Sequence, residues 1–248
     1  MIKFIGLNDI NHVFDCMTLI SLYKTIDMNT LMKLSVIVVL FATISCKKES
    51  DKLGGQTDLE LTKVGSDFSV NASSSGMDFP IITADIISNN DGDVTFRILA
   101  DFTGHPDSAI LVPLIPAYLK DNENRVQHDI KMRFTSEGIQ DYEENSGDKP
   151  FTIVKYDAKV GDNYLFKASN GKTLTRTVTE RTDENDWPFT MFYIKTIKVE
   201  QNEFNDIWES VIEKLVFRAN HKYGLVYIEA ILKNGKVIKS DIIPWHMI

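Results

Sequence analysis

The sequence predicts a mainly β fold, in which antiparallel sheets form a sandwich or a half-barrel and one short amphipathic helix lies near residues 203–213. Three observations point to this class. Short runs rich in β-branched and aromatic residues recur along the chain. Asn-Gly and Asp-Gly pairs separate several of these runs, as they do in β-hairpins. A single segment repeats its apolar residues with the period of a helix.

In the first half of the chain, strand patterns alternate with polar loops. Residues 81–88 and 94–102 flank a turn that contains Asp91-Gly92, and this arrangement predicts a hairpin. Residues 126–135 alternate apolar and polar side chains, which predicts another strand. Residues 136–149 are polar and acidic. They are expected to form a loop, or a linker that divides the domain into two subdomains.

The second half of the chain carries the strongest hairpin signals. Asn170-Gly171 and Asn234-Gly235 each lie between two β-rich runs. The runs that they join are 164–168 with 173–179, and 223–232 with 236–243.

One segment has a helical period. Its apolar residues recur at intervals of three, one, three and one positions, which places them on one face of a helix. They are Phe204, Ile207, Trp208, Val211, Ile212, Leu215 and Val216. We expect a helix over residues 203–213 and then a strand, with Trp208 packed into the core.

Composition excludes some classes of partner. The 248 residues carry 27 basic and 35 acidic side chains, a net charge of −8. An acidic balance opposes electrostatic binding to nucleic acid and to anionic lipid head groups. We therefore expect no nucleic-acid partner.

The apolar run at residues 34–44 differs from everything after it. Lys33 precedes the run, and charged residues begin at Lys47, directly after Cys46. As a helix of about 14 residues, the run and its flanks would cover about 21 Å, which is short of the roughly 30 Å hydrocarbon core of a bilayer. This length favours a secretory signal over a membrane span.

The sequence Thr43-Ile44-Ser45-Cys46 resembles the end of a bacterial lipoprotein signal, in which a small residue precedes the modified cysteine. The resemblance implies cleavage before Cys46 and acylation of Cys46 by chains such as palmitate. Two or more acyl chains anchor a protein stably to a membrane. The expected location is the cell envelope, at the outer membrane, with the membrane itself as a partner through the lipid.

This resemblance divides the chain into segments. Residues 28–45 would be the signal peptide, 46–58 the lipidated cysteine with a flexible tether, and 59–248 the β-rich domain. The expected start is Met28 or Met32, so residues 1–27 are interpreted as an upstream extension. Cys16 then falls in that extension, and the domain would fold without a disulfide.

Two further segments, 156–164 and 220–227, resemble segments of β-rich bacterial lipoproteins. This resemblance implies a shared fold and brings no activity. Asp107-Ser108-Ala109 resembles a bacterial O-glycosylation acceptor, which makes Ser108 a candidate modification site.

The sequence contains no recognisable catalytic or cofactor motif. Nucleophile elbows, zinc-protease helices, phosphate loops and dinucleotide-binding glycine patterns are all missing. The histidines after Cys46 do not share metal-ligand spacing; they are His105, His128, His221 and His246. We therefore expect no metal, no cofactor and no enzymatic activity.

The acidic segments 141–144 and 183–186 are interpreted as solvated turns rather than calcium loops, because they lack the alternating ligand spacing.

An aromatic cluster beside the second acidic segment has two interpretations. Trp187 and Phe189 could stack on a sugar ring while Asp186 binds its hydroxyl groups. Alternatively, Trp187 could cover the core where the next strand begins. The three residues are therefore candidate ligand contacts.

Three classes of function remain open. The first is a non-enzymatic binding or structural module, with a glycan or an envelope protein as its partner. The second is a carrier of lipid or another hydrophobic ligand, which requires an apolar concave pocket of several hundred Å³. The third is an anchored, glycan-active hydrolase, which requires two carboxylates about 5 to 9 Å apart in a cleft.

Overall fold

The computed structural model describes residues 52–74, 77–112, 120–142 and 149–248. Residues 1–51, which contain the predicted extension, the predicted signal and Cys46, lie outside the described residues. The strands are β1 (Asp67–Ser74), β2 (Met77–Asp78), β3 (Ile82–Asn90), β4 (Asp93–Asp101), β5 (Arg125–Thr135), β6 (Gly138–Asp141), β7 (Phe151–Lys155), β8 (Asn163–Lys167), β9 (Thr173–Arg181), β10 (Trp187–Phe189), β11 (Phe192–Ile194), β12 (Ile197–Gln201), β13 (Ile212–Asn220), β14 (Gly224–Leu232) and β15 (Val237–Pro244). The helical segments are α1 (Ser108–Leu111), α2 (Asp206–Val211) and two 3-10 turns, Glu60–Thr62 and Trp245–Met247.

Twelve strands follow one another around an antiparallel sheet almost in chain order. The order is β7-β6-β5-β4-β3-β1-β15-β14-β13-β12-β9-β8, and β2 pairs with β1 beside this path. The first and last strands of the chain are neighbours in this order, because β1 pairs with β15 from Phe68 opposite Pro244 to Ser74 opposite Ile238. In the described part of the chain, β7 and β8 are the two ends of the ladder. The sheet is therefore a nearly closed barrel.

This architecture confirms the predicted mainly β, antiparallel fold. The barrel runs continuously through β5, β6 and β7, so the described residues on either side of 136–149 belong to one sheet rather than to two subdomains. Residues 143–148 lie outside the described part.

The predicted helix is shorter than expected. α2 covers Asp206–Val211, and β13 begins at Ile212. From Leu215 onward, side chains alternate between the two faces of the sheet, with Leu215 and Phe217 inside and Val216 outside. An apolar segment that is covered on both faces of a strand can imitate a helical stripe, which explains the misplaced boundary.

The barrel has two unlike ends. At the closed end, Leu61 is buried beneath the turn between β13 and β14. A Cβ atom on Gly224 would lie 2.6 Å from Leu61 Cδ2 and 3.3 Å from Phe134 Cε1, so the side chain of Leu61 fills this end. The opposite end, which we call the mouth, carries α2 and the connection between β4 and β5.

Part of the predicted tether is docked on the barrel. The backbone N–H of Leu53 donates to Gln140 Oε1 at 2.8 Å, and Arg133 Nε donates to the carbonyl of Leu53 at 2.8 Å. Thr57 Oγ1 donates to Asp91 Oδ1 at 2.8 Å. Residues 52–58 therefore do not form the free tether predicted for 46–58, because the buried side chains of Gln140 and Arg133 bind the backbone of Leu53 and the side chain of Asp91 binds that of Thr57.

The hairpin β10–β11 covers part of the outer face of the barrel. Phe189 and Ile194 pack against Tyr223 and Val226 of the β13–β14 region. In the described residues, no helix combines the length and the apolar character needed to cross a membrane.

Candidate functional site: an apolar cavity in the barrel

A cavity of about 510 Å³ occupies the inside of the barrel. Its walls are the inward-facing side chains of ten strands, together with residues that lead into and form α2. They are Phe68, Val70, Ile82, Ala84, Phe96, Ile98, Ile130, Met132, Phe134, Asp141, Ile153, Arg176, Phe204, Trp208, Ile212, Leu215, Phe217, Leu225, Ile228, Ser240 and Ile242. Eighteen of these 21 residues are apolar, and the other three are Asp141, Arg176 and Ser240.

Period-two alternation places these side chains in the lumen. On β4, Phe96 and Ile98 face inward, while Arg97 between them faces outward and pairs with Asp129 of β5. Cross-strand partners share a face of the sheet, so the pairing of Ala84 with Ile98 carries the apolar lining to the next strand. The ladder thus builds one continuous apolar surface.

The lining becomes more exposed toward the mouth. Near the closed end, the inward-facing side chains are buried: Phe68, Ala84, Phe96, Met132, Phe134, Phe217 and Leu225. Nearer the mouth, they are partly exposed: Val70, Ile82, Ile98, Ile130, Leu215, Ile228 and Ile242. At the mouth itself, Phe204 and Ile212 are buried, so the exposed part of the rim is the part that includes Trp208.

Trp208 lies at the mouth and is not a core residue. Its side chain is 42% exposed while it also lines the cavity, and the neighbouring Phe204 is buried. The prediction that Trp208 belongs to the core was wrong. α2 has only six residues, and it crosses the end of the barrel instead of packing along the sheet.

α2 is fixed to the neighbouring turns by polar contacts. Lys172 Nζ donates to the carbonyl of Phe204 at 2.8 Å and pairs with Glu209 Oε1 at 2.7 Å. Asn170 Nδ2 donates to Asn205 Oδ1 at 2.6 Å, and the backbone N–H of Lys233 donates to the carbonyl of Val211 at 3.0 Å. These contacts hold Trp208 at the rim.

A buried ion pair forms part of the cavity wall. Arg176 Nη2 of β9 lies 2.8 Å from Asp141 Oδ2 of β6. Arg176 Nε also donates to Gln201 Oε1 at 2.7 Å, and Nη1 donates to the carbonyl of Phe151 at 3.2 Å. Its guanidinium lies 3.9 Å from the ring centre of Phe151 and 5.0 Å from that of Phe217. The interpretation of Asp141 as part of a solvated turn was therefore wrong.

Arg176 also closes the gap between the two ends of the sheet. It reaches from β9, next to β8, to β6 and β7 on the far side. Nearby, the backbone N–H of Lys155 donates to Tyr164 Oη at 3.1 Å, and the rings of Phe151 and Phe166 stack with centres 5.2 Å apart. Burial raises the pKa of Tyr164 to about 12, so its phenol stays neutral. Side chains replace backbone pairing at this seam.

A larger hollow of about 800 Å³ lies on the outer face of the barrel. Its lining is mixed and includes Asp101, Lys120, Asp121 and Arg125. Hydrogen bonds from Thr103 lower the pKa of Asp101, and hydrogen bonds from the backbone and side chain of Arg125 lower that of Asp121. A general acid needs a raised pKa, so neither carboxyl has the electrostatics of one.

The aromatic cluster predicted from sequence lies on the outer face. Phe189 is 4% exposed within the hairpin cluster, while Asp186 is exposed. Trp187 is half-buried, with its ring centre 4.1 Å from the guanidinium of Arg218 and 5.3 Å from the ring centre of Tyr227. The fold thus brings the aromatic residues against the sheet, and a ligand contact at Trp187 stays a prediction.

The remaining candidate residue, Ser108, is not among the residues that line the cavity. Ser108 begins α1 in the β4–β5 connection, and its glycosylation stays a prediction. Among the residues that the structure describes, no group of three or more His, Cys, Asp or Glu side chains could hold a metal ion.

Neither Arg176 nor the burial of Asp141 was predicted, although the sequence contains a signal for Arg176. Leu174, Arg176 and Val178 occupy alternate positions of one strand, which places a cation on an apolar face. An inward charge of this kind requires a buried partner. The partner could not be identified from sequence, because 35 positions separate it from Arg176.

Comparisons with known proteins add little. No protein-family model matches the sequence. No curated protein matches it either. Among solved structures, a Bacteroides fragilis protein described as exported and as having a YmcC-like fold is similar to 73% of this chain and 95% of its own, with 9% identity and a TM-score of 0.42. A likeness this weak transfers no property to the chain.

Proposed function

We propose that this protein is a binding protein or carrier for a hydrophobic ligand, held in the cell envelope by acyl chains on Cys46. The observation that supports the proposal is the apolar cavity of about 510 Å³ inside the barrel. Its size lies within the usual range of ligand sites, about 300 to 1,000 Å³. Among the three classes that the sequence left open, the carrier is the one that requires such a cavity.

The lining selects against polar ligands. A hydroxyl or amide moved into an apolar site without a hydrogen-bond partner loses about 1 to 3 kcal/mol on the scale of protein mutations. The charges of Asp141 and Arg176 are already paired with each other. An apolar ligand, in contrast, gains about 25 cal/mol for each Å² of surface removed from water.

Binding can be tested with a neutral naphthylamine dye whose emission rises in apolar surroundings. The full chain carrying Cys46→Ser, purified without detergent, should enhance the emission saturably. Ser240→Trp fills part of the lumen and should weaken dye binding measurably without abolishing it, because less apolar volume remains. Lys239→Trp is the matched control, because Lys239 is the exposed neighbour of Ser240 on β15 and faces outward. Equal dye binding by the two variants would exclude the lumen as the site.

The anchor has a separate test. Cys46→Ser should abolish labelling of the protein by a palmitate analogue and release it from membranes, since the substitution removes the acceptor thiol. Retention of the variant on membranes after a high-salt wash would refute lipid anchoring while leaving the ligand proposal intact.

A further inference from the structure

From the volume and polarity of the cavity, we infer that its ligand is a single-chain amphiphile of about 16 to 20 carbon atoms, which inserts its chain into the barrel and leaves its polar end at the mouth. This inference rests on the proposed function and specifies the class of ligand.

The volume of the cavity sets the chain length. A protein cavity of about 150 Å³ accepts benzene, a ligand of six carbon atoms. At the same ratio, about 510 Å³ accepts about 20 carbon atoms. One long acyl chain meets this limit, whereas the two chains of a diacyl phospholipid exceed it nearly twofold.

The depth of the cavity admits a chain that enters from the mouth and bends inside the lumen. On β13, the lining extends from Ile212 near the mouth to Phe217 near the closed end. Five residue steps along a strand rise about 17 Å, and the tilt of barrel strands shortens the depth along the axis, so a chain that fills the volume cannot be fully extended. Leu61 fills the barrel beyond this point, so the chain terminus has no exit on that side.

The electrostatics of the wall place the polar end outside. The guanidinium of Arg176 is bound by Asp141, by Gln201 and by the carbonyl of Phe151. A charged head group inside the lumen would lose its hydration without meeting an unmatched opposite charge. At the mouth, Lys172 and Glu209 present both signs of charge near water, so the rim does not favour an anionic head over a neutral one.

Displacement of the bound dye by a chain-length series tests this inference. The probes are saturated fatty acids and lysophosphatidylcholines with chains of about 10 to 24 carbons, titrated below their critical micelle concentrations into the detergent-free Cys46→Ser protein. Affinity should improve about fourfold for each added methylene and level off near 18 to 20 carbons. Affinity should level off at the same chain length for both head groups. Vesicles of diacyl phosphatidylcholine should not displace the dye.

Ser240→Trp supplies a quantitative check, because the added side-chain volume is close to that of benzene. The chain length at which affinity levels off should fall by about six carbons in this variant. It should stay unchanged in Lys239→Trp. Ser240→Leu should lower it by a smaller amount, and it serves as the test variant if Ser240→Trp does not fold.

The outcomes separate the two proposals. Saturable dye binding with no dependence on chain length, or displacement by diacyl phosphatidylcholine as effective as by a single-chain probe, would overturn the ligand class and leave the hydrophobic-ligand function standing. Failure of the protein to bind the dye or any of the probes would overturn both.

Discussion

Arg176 and Asp141 join the two sides of the barrel where its backbone ladder ends. Arg176 Nη2 lies 2.8 Å from Asp141 Oδ2, and the two residues belong to β9 and β6. Both side chains are almost completely buried. The pair therefore takes the place of backbone hydrogen bonds that β7 and β8 do not make with each other.

Removal of one partner of this pair should be strongly destabilising. Arg176→Met leaves the carboxylate of Asp141 buried without its cation, which costs about 3 to 5 kcal/mol. Replacement of both charges in Arg176→Met/Asp141→Leu should recover much of that loss, since no isolated charge remains. Urea denaturation followed by circular dichroism measures the free energies of unfolding.

The exposed pair between Arg97 and Asp129 provides the control for this experiment. Arg97→Met should leave the unfolding midpoint nearly unchanged, because water solvates both charges. A double variant at Arg176 and Asp141 that is no more stable than Arg176→Met would show that the seam depends on the other contacts of the guanidinium.

The local features of this fold could be predicted from sequence, and its closure could not. Asn170-Gly171 and Asp91-Gly92 do occupy hairpin turns, because those residue types favour the required backbone angles. The pairing of β1 with β15, in contrast, joins segments about 170 positions apart, and no local pattern encodes their register. The cavity depends on that closure. A hydrophobic-ligand carrier was therefore predictable as an alternative, but the location of the cavity and the position of Trp208 at its rim were not.

Gly138 is required by the close approach of β6 to β7. A Cβ atom at this position would lie 2.1 Å from the carbonyl oxygen of Val154 and 3.0 Å from Lys155 Cα. Gly138→Ala must therefore separate two backbones and should lower stability by several kcal/mol, in the range of severe core substitutions. Thermal denaturation checks this expectation.

Gly171 is the matched comparison for Gly138. It has a φ of 84° and nothing within 4 Å of an added Cβ atom, so Gly171→Ala meets only backbone strain. That substitution should cost about 1 to 2 kcal/mol. Equal losses at the two positions would contradict the proposed steric role of Gly138.

Asp93 should make stability depend on acidic pH. Burial alone would raise its pKa, but hydrogen bonds from Lys52, Tyr142 and Arg133 outweigh burial and lower the pKa below the usual 3.8. A carboxyl whose pKa is lower in the folded state stabilises the protein above its unfolded pKa. This contribution is lost as the pH falls below about 3.8 and through the lowered pKa of the folded state.

A pH series of urea denaturations compares the parent protein with Asp93→Asn. The parent should be more stable at neutral pH, and the difference should shrink as the pH falls from about 4 toward 2. Lys52→Met removes one of the hydrogen-bond donors to Asp93. In that background, the difference in free energy of unfolding between Asp93 and Asp93→Asn should be smaller at neutral pH. A difference that stays constant across the series would show that the ionisation of Asp93 does not contribute.

Trp208 should report directly on occupation of the cavity. The chain has three tryptophans, and among them Trp208 lines the cavity, while Trp245 is exposed in the 3-10 turn at the closed end. In Trp187→Phe/Trp245→Phe, a fatty acid of about 18 carbons should shift the emission of Trp208 to shorter wavelength and reduce its quenching by acrylamide, because the chain displaces water from the rim. In Trp187→Phe/Trp208→Phe, the emission of Trp245 should not change. Dye displacement without any change at Trp208 would mean that the ligand occupies a surface other than the lumen.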